Sequence, residues 1–162
     1  MDVNGFKGPN SEARNGKQYD IRSFKVAKFS KGCAGNEIKG VGCVYQLPSF
    51  SPIKAGTDEM KKWDPSWTAE HVGSSWASWD NYWAGAKKAC NDIGMSLPDS
   101  SKLESIYEAG EKDSSLGFPR TWFWSSSENS NSDGAYDMHF GNGATNSNAK
   151  YDWTNKVLCV GD

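Results

Sequence analysis

No stretch of the 162-residue sequence approaches the roughly 20 consecutive apolar residues that a membrane-crossing helix needs. Its opening, MDVNGFKGPN, lacks the charged-then-apolar layout of an export signal. If the protein is exported, its signal or anchor is therefore expected ahead of Met1. A cationic surplus is also missing: the formal net charge is −2 and the pI is near 5.7. Phosphate backbones and anionic lipid surfaces are poor partners for such a chain, so neither nucleic acid nor membrane contact is expected. Cysteine is scarce, with four residues and no C-x-x-C pair, and only two histidines accompany them, which weakens zinc and redox chemistry. Catalytic signatures are absent as well. There is no H-E-x-x-H, no P-loop and no Ser/His/Asp motif, His71 and His139 are isolated, and Glu104 and Glu108 at helical spacing read as a solvated face. The expectation is a protein that is not an enzyme and needs no cofactor.

What remains is long enough for one domain with a smaller appendage, and a mean hydropathy of −0.73 suits a water-exposed protein. Residues 1–60 are rich in Gly, Pro, Lys and Ser. Short alternations such as DIRSFKVAKF and GCVYQL, separated by Gly turns, predict short antiparallel strands. Cys33 and Cys43 flank AGNEIKGVG, whose turn residues would bring two strands together, so a local bridge is the cheapest pairing. Two structural disulfides fit an oxidising compartment, and four free thiols in a cytosolic protein are the alternative.

Five tryptophans, Trp63, Trp67, Trp76, Trp79 and Trp83, crowd into residues 63–83. Such density marks either a core or a binding face. Trp79, Trp83, Ala86, Cys90 and Ile93 share one helical face, which favours core, with Asp80 as N-cap and Gly94 as the stop. A second helix follows MSLP, with a capping-box spacing of Ser101 and Glu104, an apolar stripe of Leu103, Ile106 and Tyr107, and an end at Gly110. In AYDMHF, Tyr136, Met138 and Phe140 are expected to point inward while Asp137 and His139 point to solvent. GNG at 141–143 is a turn signal, a polar strand or loop comes next, and KVLCV closes the chain as a buried strand. Strands, two helices, then strands again predict an α+β fold.

Around the alternating strand the filler is unusual: Asn, Ser, Gly and Asp occupy fifteen of the twenty-eight positions from Asn129 to Lys156. A loop that merely tolerates polar residues is the plain explanation.

The run YWAGAKKACNDIGMSLPDSSKLESIYEAG…WFWSSSE…AYDMHFGNG…KVLCV resembles the C-type-lectin-like fold in its bacterial form, over about residues 76–160. That resemblance implies a bridge between Cys90 in the first helix and Cys159 in the last strand. Calcium-dependent sugar binders of this fold carry Glu-Pro-Asn or Gln-Pro-Asp and Trp-Asn-Asp tripeptides. None occurs here, and Asp2, Asn4 and Asn10 are weak alternatives for a hard cation, so no metal site is expected. The polar segment is similar to the variable region of retroelement-diversified proteins, in which adenine miscopying turns Asn codons into Ser, Asp, Tyr, His, Gly, Thr or Ala. Trp153 cannot arise from an Asn codon by that route alone. DVNGFKGPN followed by YDIRSF looks like the soluble part of a type IV pilin-like protein. It implies a membrane-inserting helix ahead of this chain, assembly into a pilus-like base, and display at a bacterial cell surface. The division implied is a β-rich pilin-like portion over residues 1–60 and a ligand-binding lectin-like module over 61–162, with its variable-looking segment at 129–156.

The expected function is ligand binding by a surface receptor or adhesin. Its patch would comprise Asn131, Asp133, Asp137, His139, Asn142, Asn146, Asn148, Tyr151, Asp152, Trp153 and Asn155. Tyr and Trp offer rigid contact area and Asn adaptable hydrogen bonds toward a protein or glycan. A structural minor pilin with a non-variable cap is the second class. An enzyme on the related formylglycine-generating scaffold is the third, and the implied Cys90–Cys159 bridge would remove its best thiols.

Overall fold

The computed structural model describes residues 28–29, 32–68 and 78–161. The pilin-like segments before Lys28, the Asp2/Asn4/Asn10 group, His71 and Trp76 lie outside the described residues.

Antiparallel sheets and helices pack together as an α+β fold. Strand β1 (Lys28–Phe29) pairs with β2 (Gly32–Cys33). A three-stranded sheet joins β3 (Asn36–Ile38) and β4 (Gly42–Gln46) to β8 (Leu158–Gly161), with β4 in the centre. Val44 faces Val160 and Tyr45 faces Cys159 across that ladder. A boundary at residue 60 is thus crossed by this sheet, because a strand from residues 42–46 pairs with the final strand of the chain. The other sheet is a meander of β5 (Trp122–Glu128), β6 (Gly134–His139) and β7 (Thr145–Ala149), again with the middle strand in the centre. Among the described residues three α-helices, α1 (Asp58–Trp63), α2 (Tyr82–Asp92) and α3 (Ser100–Lys112), lie between these strand groups in sequence.

One core cluster gathers Trp83, Ala86 and Cys90 of α2 with Trp124, Ala135, Val157 and Cys159. The helix spacing read from the sequence accounts for the first three. Trp83 also donates its indole N–H to the Ser125 carbonyl at 2.7 Å, so α2 is fixed to β5 by a polar bond as well as by packing. A second cluster sets Leu103 and Ile106 of α3 against Phe123, Met138, Phe140, Leu158 and Val160. Cys33–Cys43 and Cys90–Cys159 are both bridged, and the second pair ties α2 to the final strand. Among the described residues no cysteine is free.

Local capping differs from expectation by one or two residues, with identifiable reasons. Asn81, not Asp80, caps α2: its Oδ1 accepts from the Ala84 amide at 2.7 Å, while Asp80 faces Lys54 at 3.5 Å. Trp79 therefore precedes the helix and stands exposed rather than in the core. For α3 the cap is Asp99, accepting from the Lys102 amide at 2.8 Å, so the Ser101–Glu104 pair is already inside the helix. Gly110 does not end α3. It lies within the helix, where its missing side chain makes room for the Phe118 ring: a β-carbon there would sit 3.0 Å from Cδ2. Gly94 does follow α2 with a left-handed φ of 77°, as a helix stop should.

Candidate functional site

The polar segment was expected to vary because its side chains face water, and its burial is mixed. Met138 on β6 and Phe140 just after it are buried in the cluster with α3, as predicted. Tyr136 is exposed instead of inward, and Asp137, expected at the surface, is 3% exposed. Asp137 is buried because Asn155 returns over its side of the strand and bonds it, so the polar side of the alternation is not a solvent side there, while Tyr136 belongs to none of the core clusters that take in its neighbours. Asp137 accepts a hydrogen bond from Asn155 Nδ2 at 2.8 Å, and Asn155 is buried with it. The other carboxyl oxygen, Oδ1, has no protein partner. These two residues form a linchpin inside the segment and offer little to a ligand.

Burial pushes the Asp137 carboxyl above its ordinary range, against the opposing pull of the Asn155 hydrogen bond. The folded state then holds this proton more tightly than the unfolded chain does. Stability contributed at this position is greatest in acid and is lost as pH rises through the raised value. Asp137→Asn, which keeps an acceptor for Asn155 and carries no charge, is expected to raise the Tm by a few degrees at neutral pH. The gain should vanish below the ordinary carboxylate range, and melts across pH check it.

The other candidate residues divide by position along the meander. The β5–β6 turn holds Asn131 and Asp133, and the Lys150 amide donates to the Asp133 carbonyl at 3.1 Å, so the segment after β7 begins beside that turn. Here Asn148 Nδ2 donates to Asp152 Oδ2 at 2.8 Å, and the Thr154 amide donates to Asp152 Oδ1 at 2.7 Å. Burial raises the Asp152 carboxyl, but hydrogen bonds from the Thr154 side chain and amide and from Asn148 outweigh it and hold the group below its usual range. Asp152 is thereby kept as a carboxylate at the centre of a tight turn. The Tyr151 ring meets the Trp79 ring edge-on, centroids 4.6 Å apart. Trp153 follows at 72% exposure. It also borders a cleft of about 180 Å³ lined by Pro48, Phe50, Tyr82, Asn155 and Lys156.

His139 and Asn142 belong to the opposite end of β6, at the β6–β7 turn, where His139 Nδ1 accepts from the Gly141 amide at 2.9 Å and its ring packs edge-on against Trp122. Asn146 is exposed on β7, between the two ends. The structure therefore sets Asp133, Asn148, Tyr151 and Asp152 at one end of the meander, with Asn131 in the turn there and Trp153 in the segment that follows, and His139 and Asn142 at the other end.

Sequence reasoning missed two contributors. Trp79 was assigned to the core because it continues the α2 spacing, and only the true cap at Asn81 releases it to join Tyr151. Lys150 carries no signal of its own in the sequence. It is fully buried, its Nζ lying 2.9 Å from Asp64 Oδ2 and in contact with Glu128, with the Trp83 ring centroid 4.4 Å away. Around them Asn81 Nδ2 donates to Asp64 at 2.8 Å and Ser66 bonds both carboxyls. The Lys150 backbone adds to this, its carbonyl accepting from the Tyr82 and Trp83 amides at 2.8 and 3.2 Å. The segment that carries Tyr151 and Trp153 is thus nailed to the start of α2 at its first residue. Burial raises the Glu128 carboxyl, yet hydrogen bonds from Lys150 and Ser66 and the charges of Lys150 and Lys87 outweigh it and hold the group low.

Among the described residues no cluster of His, Cys, Asp or Glu is arranged to hold a metal ion, and no helix is long and apolar enough to cross a membrane. Compared with protein families, residues 52–160, about two thirds of the chain, match the family InvE_AD, described as an adhesion domain. The chain belongs to this adhesion-domain family. No curated protein and no solved structure matches it. The adhesion domain spans both core clusters apart from the strands β3 and β4, and it contains every residue of the candidate patch. Membership supports a surface adhesin-like role rather than a catalytic one. The two disulfides and the adhesion domain are consistent with an extracellular location.

Proposed function

We propose that the protein is a surface-displayed adhesin of C-type-lectin-like fold. It grips its ligand, a protein or a glycan, through the end of the meander where Tyr151, Asp152 and Trp153 emerge. One observation carries this: Trp153, the most exposed large apolar side chain among the described residues, lies two residues along the chain from Tyr151, whose ring pairs with Trp79, within an adhesion domain. A tryptophan left 72% in water costs hydration free energy that only a partner recovers, and Trp and Tyr are the residues that dominate binding hot spots. Asn148, bonded to Asp152, and Asp133, whose carbonyl takes the Lys150 amide, offer hydrogen-bonding groups at this end with Asn131 of the same turn, and His139, Asn142 and Asn146 would join only for a ligand broad enough to reach along the sheet.

Retroelement diversification of the segment is part of the proposal, with a boundary. The exposed Asn131, Asn142 and Asn146 are free to change without disturbing packing. Asp137 and Asn155 hydrogen-bond each other in the interior and would have to change as a pair. Display on a pilin-like base through the segment before Lys28 completes the proposal.

Trp153→Ala is expected to weaken adhesion by about 2 kcal/mol or more in binding free energy, as hot-spot truncations do. The Tm should hardly move, since the ring contributes little to packing. Binding would be measured with the purified domain on protein and glycan arrays and on cells. Undiminished binding by the variant would remove this patch from the function.

A further inference from the structure

The Lys150 cluster carries chemistry that an adhesin's binding surface does not use. A lysine amine, an aspartate carboxyl and a glutamate meet in the interior: Lys150 is fully buried and Asp64 is 2% exposed, while Glu128 reaches outward with a third of its side chain in water. Nζ is 2.9 Å from Asp64 Oδ2, which places Cγ one bond beyond a hydrogen-bonded oxygen. The rings of Trp83 and Trp67, centroids 4.4 and 5.9 Å from Nζ, exclude water from that side. A second observation concerns protons. Ser66 Oγ lies 2.8 Å from Asp64 Oδ1 and 2.6 Å from Glu128 Oε2, yet a hydroxyl has one proton to give. Ser66 bridges the two carboxyls and offers a proton path between them.

We propose that Lys150 and Asp64 are joined by an intramolecular isopeptide bond, formed by the folded protein itself with Glu128 as the acid–base group. For the reaction the ammonium must first pass one proton, by way of Glu128 and Ser66, to Asp64 Oδ1, which leaves a neutral amine facing a carboxylic acid. The Nζ lone pair then attacks Asp64 Cγ. Asn81 Nδ2, 2.8 Å from Oδ2, donates to the oxygen on which charge develops. Glu128, in contact with Nζ, takes the proton released from nitrogen and passes it through Ser66 to Oδ1, and the Cγ–Oδ1 bond breaks. The products are a secondary amide and one water, with no oxidant, reductant or change in net charge. Fixed proximity supplies the rate, as it does wherever two reactants are held in attack geometry, and the exposed side of Glu128 gives the water a way out. The bond would tie the residue after β7 to the residue after α1, on the segment that leads into Tyr151 and Trp153.

Intact mass of the full chain, reduced and denatured, decides the matter. The expected mass is lower than that of the sequence by one water, and digestion should yield a branched peptide joining Asp64 to Lys150. Lys150→Arg and Glu128→Gln are expected at the full sequence mass, with circular dichroism showing each folded. A wild-type mass equal to the sequence mass overturns the proposal and leaves an ion pair. A missing water that maps to Asp133–Gly134, where an aspartyl succinimide would lose the same mass, also overturns it. If Glu128→Gln still loses the water at Asp64 and Lys150, the acid–base assignment to Glu128 is wrong. None of these outcomes depends on a ligand.

Discussion

Replacing Lys150 with Met lowers the stability of the fold by about 3 to 5 kcal/mol or more, the cost of leaving the buried Asp64 without its partner, to which loss of the proposed bond would add. Asp64 would stay in the interior with Ser66 and Asn81 as donors but without its lysine, and Glu128 would lose its strongest contact. The effect is expected to exceed that of Glu128→Gln, because Glu128 can turn toward water and Asp64 cannot. The backbone amide and carbonyl of Lys150 keep their bonds to Asp133, Tyr82 and Trp83 in either variant, so the comparison isolates the side chain. Denaturant unfolding of both variants measures it. A loss below that of Glu128→Gln would mean that the cluster is not a keystone of the domain.

Removing the Cys90–Cys159 bridge by changing both residues to Ser is expected to cost roughly 4 kcal/mol, since the bond closes a long loop and its loss frees the unfolded chain. Its two residues are 69 apart in sequence, against 10 for Cys33 and Cys43, and the same loop-closure account assigns the shorter loop about 2.5 kcal/mol. Both Cys90 and Cys159 are also fully buried against Trp83, Met95 and Trp124, so the serine hydroxyls would be left in an apolar core. Both terms act in one direction. Unfolding curves of the two paired variants test the order, and a larger loss from the Cys33–Cys43 pair would contradict it.

Much of the scaffold was legible in the sequence because helix and strand periods are local. The spacing of Trp83, Ala86 and Cys90 put them on one face of a helix, that of Leu103 and Ile106 on another, and KVLCV read as a buried strand; all three stand. The Cys33–Cys43 pairing followed from turn residues between the two cysteines, which is also local information. Caps were legible only to within a residue or two. Asp80 and Asn81 are both good capping types, and the choice between them depends on what each side chain meets, Lys54 in one case and the Ala84 amide in the other.

The sequence by itself determined an α+β chain, the position of its two longer helices but not of α1, and an Asn-rich end set around an apolar strand. Tertiary structure alone decided which polar residues of that end face water. Asp137 and Asn146 are cross-strand neighbours, yet one is buried and the other exposed, since burial depends on what other elements lay over a strand as well as on alternation along it. In the same way Lys150 is fully buried and Trp153 is 72% exposed, the reverse of their hydropathy order. Asp64 and Glu128, which hold Lys150, are distant from it in the chain and from each other, and only folding brings their charges within reach. An amino-acid type states the cost of leaving water, whereas the partners that offset this cost come from elsewhere in the fold.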